Sequence, residues 1–473
     1  MKILYASSEA LPFMASGGLA DVAGALPRAL CENGVDCRVI MPLYSGIKPE
    51  LRDKMTYLTS FSVPLGWRRQ YCGIFSAEHM GVTYYFVDNE YYFKRDGLYG
   101  HYDDGERFSF FARAIVEAIG HIDFVPDVLH LNDWQTALAS VYLNLFYRHD
   151  MRYAFIKTVF TIHNIQYQGK FGNEIIEDLL GIGQEHLGLL EFDGCINFMK
   201  AAIVSCNKVT TVSPSYAGEI QDPWYAFGME DLLRENSFKL CGILNGIDVD
   251  LYDPSKDPVL KKNFSQKAFL MGKKECKKAL CEEMGLVYDE NKPIVAVITR
   301  LVPPKGIDLI RYVFDDMINA GAQVVILGSG ETEYENFFRE CAERYKGDVG
   351  VRIGFIPDLS RRIYAGADVF LMPSKSEPCG LSQMIACRYG TPPVVRETGG
   401  LRDSIIDFGT EDKNACGYTF KTYNAHDMLG AIERAIGAFR NKPVWKTQVA
   451  QSLAADFSWK TSAMRYLDMY NSL

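Results

Sequence analysis

The stretch from Phe370 to Asp403, FLMPSKSEPCGLSQMIACRYGTPPVVRETGGLRD, limits the possible folds more than any other segment of the chain. An apolar run, Val369 to Met372, ends in Pro373-Ser374, and Glu377-Pro378-Cys379-Gly380-Leu381-Ser382 then opens an apolar-periodic segment reaching about Tyr389. The order is strand, loop, helix, with one carboxylate at the strand end and small residues at the helix start. A second turn, Glu397-Thr398-Gly399-Gly400-Leu401, repeats this one βα unit later. Such units build a parallel α/β sheet. Ligands bind where its strand ends and helix N-termini converge, because unpaired N–H groups collect there. A carboxylate in that place does not hold an anion, so Glu377 is expected to hold hydroxyl groups.

At 473 residues the chain exceeds one ordinary core, and two domains of roughly 200 residues each are expected. A Pro- and Asp-rich connection, Asp248 to Pro254, lies between them. The expected division is 1–245, 246–455 and an amphipathic closing segment, 456–473. The spacing Asp248-Val249-Asp250 is that of a metal-binding pair, but it sits in this connection and not at a core strand end, so no metal is assigned. A net charge of -9 argues against nucleic acid or an anionic membrane as partner, since both need basic fields. No run approaches the ~18 apolar residues of a membrane span. The twelve cysteines are scattered without CxxC pairs, which points to reduced thiols in a cytoplasmic protein.

In the first half, the strand Lys2–Ala6 and the helix Leu19 to Leu30 flank Ser16-Gly17-Gly18. Paired glycines between strand and helix let a ligand approach the backbone and offer N–H groups to an anion; the alternative is a plain connection. Asp21, in the first helical turn, either complements the helix dipole or meets a ligand. Further strands are read at Val35 to Met41, Arg69 to Ser76 and Val82 to Asp88, and a helix at Arg107 to Ile119. Tyr99, in the Gly97 to Gly100 loop, is placed facing a sugar. Two strands end in polar clusters: Asn132-Asp133-Trp134-Gln135, followed by a helix to Phe146, and His163-Asn164-Ile165-Gln166. Alone, His163 would read as a core histidine. With Asp133, Trp134 and Asn164 beside it, the reading is a site for hydroxyl groups.

In the second half, Arg300 and Lys305 flank a loop after the strand Ile294 to Ile298, and two cations there point to a phosphate. Gly354 and Phe355 end another strand; the phenylalanine either stacks on a base or fills the core. The chain contains neither GxGxxG nor a P-loop, so the dinucleotide and NTPase fingerprints are absent.

The segments SGGLADVAGALP, NDWQTAL, FTIHNIQYQGKF, TVSPSYAGEI, FGMEDLL, LNGID, TRLVPPKG, SEPCGLSQM and TGGLRD, in this order over nearly the whole chain, resemble bacterial glycogen synthases and their starch synthase relatives. The resemblance implies a GT-B glycosyltransferase: two Rossmann-like domains facing across a deep cleft, with a C-terminal helix crossing back to the first. It implies retaining transfer of glucose from ADP-glucose to the non-reducing end of an α-1,4-glucan, with no cofactor. Matching motif positions assign Glu377, His163, Asp133, Arg300 and Lys305 to catalysis. They assign Ser16, Gly17, Gly18, Asp21, Asn164, Asn245, Gly354, Phe355, Cys379, Gly380, Leu381 and Ser382 to the sugar donor, and Tyr99 and Trp134 to the acceptor. The family reading is front-face attack, with the leaving phosphate taking the acceptor's proton and the His163 carbonyl supporting the cation.

Two positions depart from the family pattern. Ala15 stands where Lys-x-Gly-Gly is common, which removes a cation near the sugar donor and leaves ADP against UDP open. Ile385 stands where the wider pattern has a second glutamate. The competing readings are a glucan-binding protein with weak or altered donor use, including UDP-glucose, and a glycan phosphorylase of the same architecture.

Overall fold

A computed structural model describes residues 1–473. The chain forms two compact units, Met1–Ile243 with Trp459–Leu473, and Leu244–Ser458. The first boundary falls two residues earlier, and the last three residues later, than the divisions read from the sequence. Asn245 consequently belongs to the second unit, where it lies beside the Cys379 thiol.

The first unit is built on nine strands: β1 (Lys2–Ala6), β2 (Asp36–Pro42), β3 (Thr56–Leu65), β4 (Arg68–His79), β5 (Val82–Asp88), β6 (Val128–Asn132), β7 (Lys157–Ile162), β8 (Lys208–Thr211) and β9 (Leu240–Gly242). Their order across the sheet is β9-β8-β7-β6-β1-β2-β5-β4-β3. Pairing is parallel from β9 to β5, and β4 and β3 add an antiparallel hairpin at one edge. β1, β6 and β7 are almost wholly buried, which explains their continuous apolar runs. β3 was not read from the sequence. It is an edge strand whose first three residues are exposed, so the alternation of Phe61, Val63 and Leu65 marks only its second half.

Helix α1 (Gly18–Glu32) follows β1, α2 (Asp104–Ile119) precedes β6, and α3 (Trp134–Tyr142) follows it. The helix read as continuing to Phe146 changes to a π-helical turn over Leu143–Tyr147. The terminal helix, α4 (Trp459–Asn471), belongs to this unit. Its Tyr470 hydroxyl lies 2.6 Å from His130 Nδ1, while His130 Nε2 lies 2.6 Å from Thr161 Oγ1. Burial holds the His130 pKa down at about 3, so this interior histidine is neutral and structural.

The second unit has six parallel strands: β10 (Ile294–Ile298), β11 (Gln323–Gly328), β12 (Val349–Ile353), β13 (Val369–Met372), β14 (Pro393–Arg396) and β15 (Tyr418–Phe420). They are ordered β12-β11-β10-β13-β14-β15. The order reverses between β10 and β13, the switch point at which open α/β sheets bind ligands. No helix is long and apolar enough to cross a membrane.

Candidate active site

In the first unit the register sets the site. Asn132 pairs with Thr161 at the ends of β6 and β7, which brings Asp133 and His163, one and two residues further on, side by side. Asp133 caps α3 with φ 54° and ψ 178°, a conformation nearly restricted to glycine, so backbone strain is held here. Its Oδ1 accepts the His163 N–H at 2.8 Å, and the Asn164 N–H also points to the carboxylate. Burial nevertheless outweighs these bonds, and the Asp133 pKa is pushed up to about 7, because a low-dielectric site disfavours the charged form. The Asn132 Nδ2 donates to the Ala6 carbonyl at 2.9 Å, so its Oδ1 accepts from Tyr5 Oη and from His163 Nε2, each at 2.9 Å. That arrangement assigns the proton of His163 to Nε2. Burial holds its pKa at about 3, so His163 is a neutral group that positions and does not carry charge.

Trp134 begins α3 and packs edge-on against Phe108, with Phe171 and Phe198 nearby at ring separations of 5.9 and 6.1 Å. With His101, Asp104, Gln166, Tyr167 and Phe227 it lines a cavity of about 710 Å³. Tyr167 and Phe227 are more than half exposed on it. Aromatic faces beside amide, carboxylate and imidazole groups form a surface suited to sugar rings. Tyr99 does not turn its hydroxyl outward. That group lies 2.8 Å from the Ser8 hydroxyl and faces the Glu9 carboxylate.

The glycine loop differs most from the sequence reading. The Ser16 N–H donates to Glu9 Oε2, and the Gly17 N–H and the Ser16 hydroxyl also reach this carboxylate. Two donors expected to face an anion are therefore already taken. Asp21 lies half-buried in the first turn of α1. Glu9 was not singled out from the sequence; it stands between Ser8 and Ala10, seven positions before Ser16, and only the fold brings it under the loop.

In the second unit, Glu377 is 7% exposed. Its Oε2 accepts from Lys305 Nζ at 2.5 Å and from Ser374 Oγ at 2.9 Å. The expectation that Glu377 holds hydroxyls and Lys305 a phosphate is thus modified: the two are first partners of each other. Arg300 is exposed. The backbone around Glu377 is tightly built. The Gly400 N–H donates to the Glu377 carbonyl at 3.1 Å, and a Cβ on Gly400 would lie 2.1 Å from the Cys379 carbonyl oxygen. Only glycine fits there. Gln383 donates from Nε2 to the Cys379 and Gly380 carbonyls. The N–H groups of Gly380, Leu381 and Ser382 have no protein acceptor. Burial pushes the Cys379 thiol up to about 12, so it stays protonated. Asn245 Oδ1 is buried without a partner. Gly354 follows β12 with φ 138°, and Phe355 beside it is 91% exposed, which removes the core alternative for this ring.

Arg396 also escaped the sequence reading. It donates to the Ser374 carbonyl at 2.9 Å and to the Lys375 carbonyl, fixing the loop that carries Glu377. At the end of an apolar strand it reads as an ordinary solvated charge.

Residues 2–235 match the family described as "Starch synthase catalytic domain", and residues 285–438 match "Glycosyl transferases group 1". A glycogen synthase of Bacillus cereus is 50% identical over 475 aligned residues, covering all of both chains. One of Anoxybacillus flavithermus is 49% identical, covering all of this chain and 98% of that one. Among solved structures, the catalytic domain of starch synthase IV from Arabidopsis thaliana, bound to ADP and acarbose, superposes with a TM-score of 0.91 at 33% identity over 99% of this chain and 98% of that one. Sucrose-phosphate synthase from Thermosynechococcus elongatus, at 15% identity and a TM-score of 0.63 over 100% of this chain and 98% of that one, shares the fold. With its two parallel-sheet units and full-length identity near one half, the chain belongs to the glycogen synthase family of GT-B glycosyltransferases.

Proposed function

We propose that this protein is a glycogen synthase, transferring glucose from ADP-glucose to the non-reducing end of an α-1,4-glucan with retention of configuration. The observation that carries the reading is the part-buried Lys305–Glu377 pair beside the unpartnered amides of Gly380 to Ser382. This arrangement combines a cation, N–H donors and one carboxylate at a switch point, as a sugar attached to a diphosphate requires.

Cleaving the bond to ADP builds negative charge on the diphosphate and positive charge at the anomeric carbon. Lys305 has three N–H donors and only some are spent on Glu377, so the ammonium can also reach a phosphate. Arg300 and the amides of Gly380 to Ser382 share that task, and each ~1.4 kcal/mol of differential stabilisation is worth tenfold in rate. Both bonds to Glu377 fall on Oε2. Its Oε1 is left to accept a glucose hydroxyl, with Asn245 Oδ1 as a second acceptor. Phe355 offers a face to the adenine. In the first unit, Asp133, His163 and Asn164 supply the hydroxyl-binding groups, and Trp134 with its cavity takes the acceptor. The leaving phosphate accepts the proton of the incoming hydroxyl, so no protein nucleophile and no cofactor is required. The cytoplasm as compartment belongs to the same proposal; the twelve thiols are all free.

The test is transfer of labelled glucose from ADP-glucose to a glycogen primer, with Glu377→Ala as the control variant. Labelled polymer with the parent chain and at least a hundredfold less with the variant is expected. Equal labelling by both would overturn the assignment. Ala15 leaves UDP-glucose as a second donor to be measured beside it.

A further inference from the structure

The carboxylate beneath the glycine loop has no role in the scheme above. Glu9 is 3% exposed; its Oε2 accepts the Ser16 amide, and the Ser16 hydroxyl, the Gly17 amide and the Tyr99 hydroxyl are donors facing the same carboxylate. Three segments of the chain meet on it, namely the residues after β1, the loop before α1 and the Gly97–Gly100 turn. That turn is itself anchored. The Gly100 N–H donates to Asp104 Oδ2 at 2.7 Å, and fully buried Arg107 donates to Asp104 Oδ1 at 2.5 Å and to the Leu98 carbonyl at 3.2 Å.

The glycines themselves are not demanded by the protein's own packing. Gly17 is extended, with φ −167°, a conformation open to any residue, and a Cβ on Gly17 or Gly18 would meet nothing within 4 Å. The space above the loop is therefore open, and small residues there keep it so for something the protein does not supply. What holds the loop in shape comes from below.

We propose that Glu9 is the positioning residue of the glycine loop: by gathering the Ser16, Gly17 and Tyr99 donors it fixes the loop in the form that receives the nucleoside diphosphate sugar. The proposal rests on the assignment of a sugar-nucleotide donor made above. The amides of Ser16 and Gly17 do not bind phosphate in this form. The loop contributes its shape and the unpaired amides of Gly18 and Leu19 at the start of α1, a helix of 15 residues. A carboxylate suits the task because an amide in its place would turn an NH2 toward other donors.

Two measurements on the full chain test this. The first is hydrogen exchange over residues 14–20 in the parent, Glu9→Ala and Glu9→Gln proteins without ligand. Exchange of the Ser16 and Gly17 amides is expected to rise at least about tenfold in Glu9→Ala, and less in Glu9→Gln. Unchanged exchange in a variant that melts as a folded protein overturns the proposal whatever the enzyme's substrate. The second is steady-state kinetics. A rise of about tenfold in the KM for the sugar nucleotide is expected in Glu9→Ala, with glycogen KM within twofold of the parent and partial rescue in Glu9→Gln. A loosened loop with an unchanged sugar-nucleotide KM, or a change confined to the glycogen KM, overturns the link to the donor. Failure of the parent chain to use any sugar nucleotide would instead sink the functional assignment, while the exchange result would still decide the role of Glu9 in holding the loop.

Discussion

Asp133→Asn should make the protein more stable above neutral pH while removing its activity. In the folded chain the Asp133 pKa is about 7 against an ordinary value of 3.8. The folded state therefore keeps a proton that the unfolded chain has lost, and stability falls as pH rises from about 4 to about 7. At about 1.4 kcal/mol per pH unit, the whole window corresponds to about 4 kcal/mol at pH 8, and to about 1.5 kcal/mol at pH 5. The carboxyl is half-buried and keeps some hydration, which trims these values toward half. Asparagine preserves the carbonyl oxygen that accepts the His163 and Asn164 amides, so the backbone at φ 54° keeps its support. The assay is urea unfolding of both proteins at pH 5 and pH 8. The variant should be more stable by about 2–4 kcal/mol at pH 8, and the difference should shrink by at least half at pH 5. A difference that is independent of pH, or a variant less stable at pH 8, would refute the reasoning that burial of this charge is a standing cost to the fold.

Other outcomes follow from the second unit and from the cavity. Lys305→Met should destabilise by about 3 kcal/mol, because it leaves the Glu377 charge buried and unpaired. The double variant Lys305→Met/Glu377→Gln should lose clearly less than the sum of its single variants in denaturant titration; simple additivity would mean the 2.5 Å pair has no energetic coupling. Trp134→Ala should raise the glycogen KM about tenfold while leaving the sugar-nucleotide KM within twofold, measured by varying each substrate in turn. Equal rises in both would place Trp134 in support of the whole unit and not of the acceptor.

The features of the site that were legible in the sequence are those in which a polar cluster breaks an apolar strand. Asn132-Asp133-Trp134 and His163-Asn164 end two consecutive strands, so adjacency in the sheet followed from adjacency in the chain. Glu377 stood out for the same reason, as a lone carboxylate between an apolar strand and a glycine. Glu9, Gln383 and Arg396 did not stand out because their partners are backbone groups and neutral hydroxyls. A carboxylate that collects amides, or a guanidinium that collects carbonyls, leaves no paired residue type in the sequence to reveal it. The direction of the Tyr99 hydroxyl was hidden in the same way, since it depends on Ser8 and Glu9 lying across from it. In the edge strand Thr56–Leu65 the exposed start, Thr56 to Leu58, blurs the alternation that Phe61, Val63 and Leu65 carry further on.

Use of a sugar nucleotide to lengthen a glucan is the activity proposed for this chain. The most direct test is a stoichiometric assay on purified full-length protein, following ADP released from ADP-glucose and glucose gained by glycogen in the same reaction. One ADP per glucose added, with all label removed by an enzyme that hydrolyses α-1,4 linkages, is the predicted result. ADP release without polymer growth, or no release from either ADP-glucose or UDP-glucose, would contradict it.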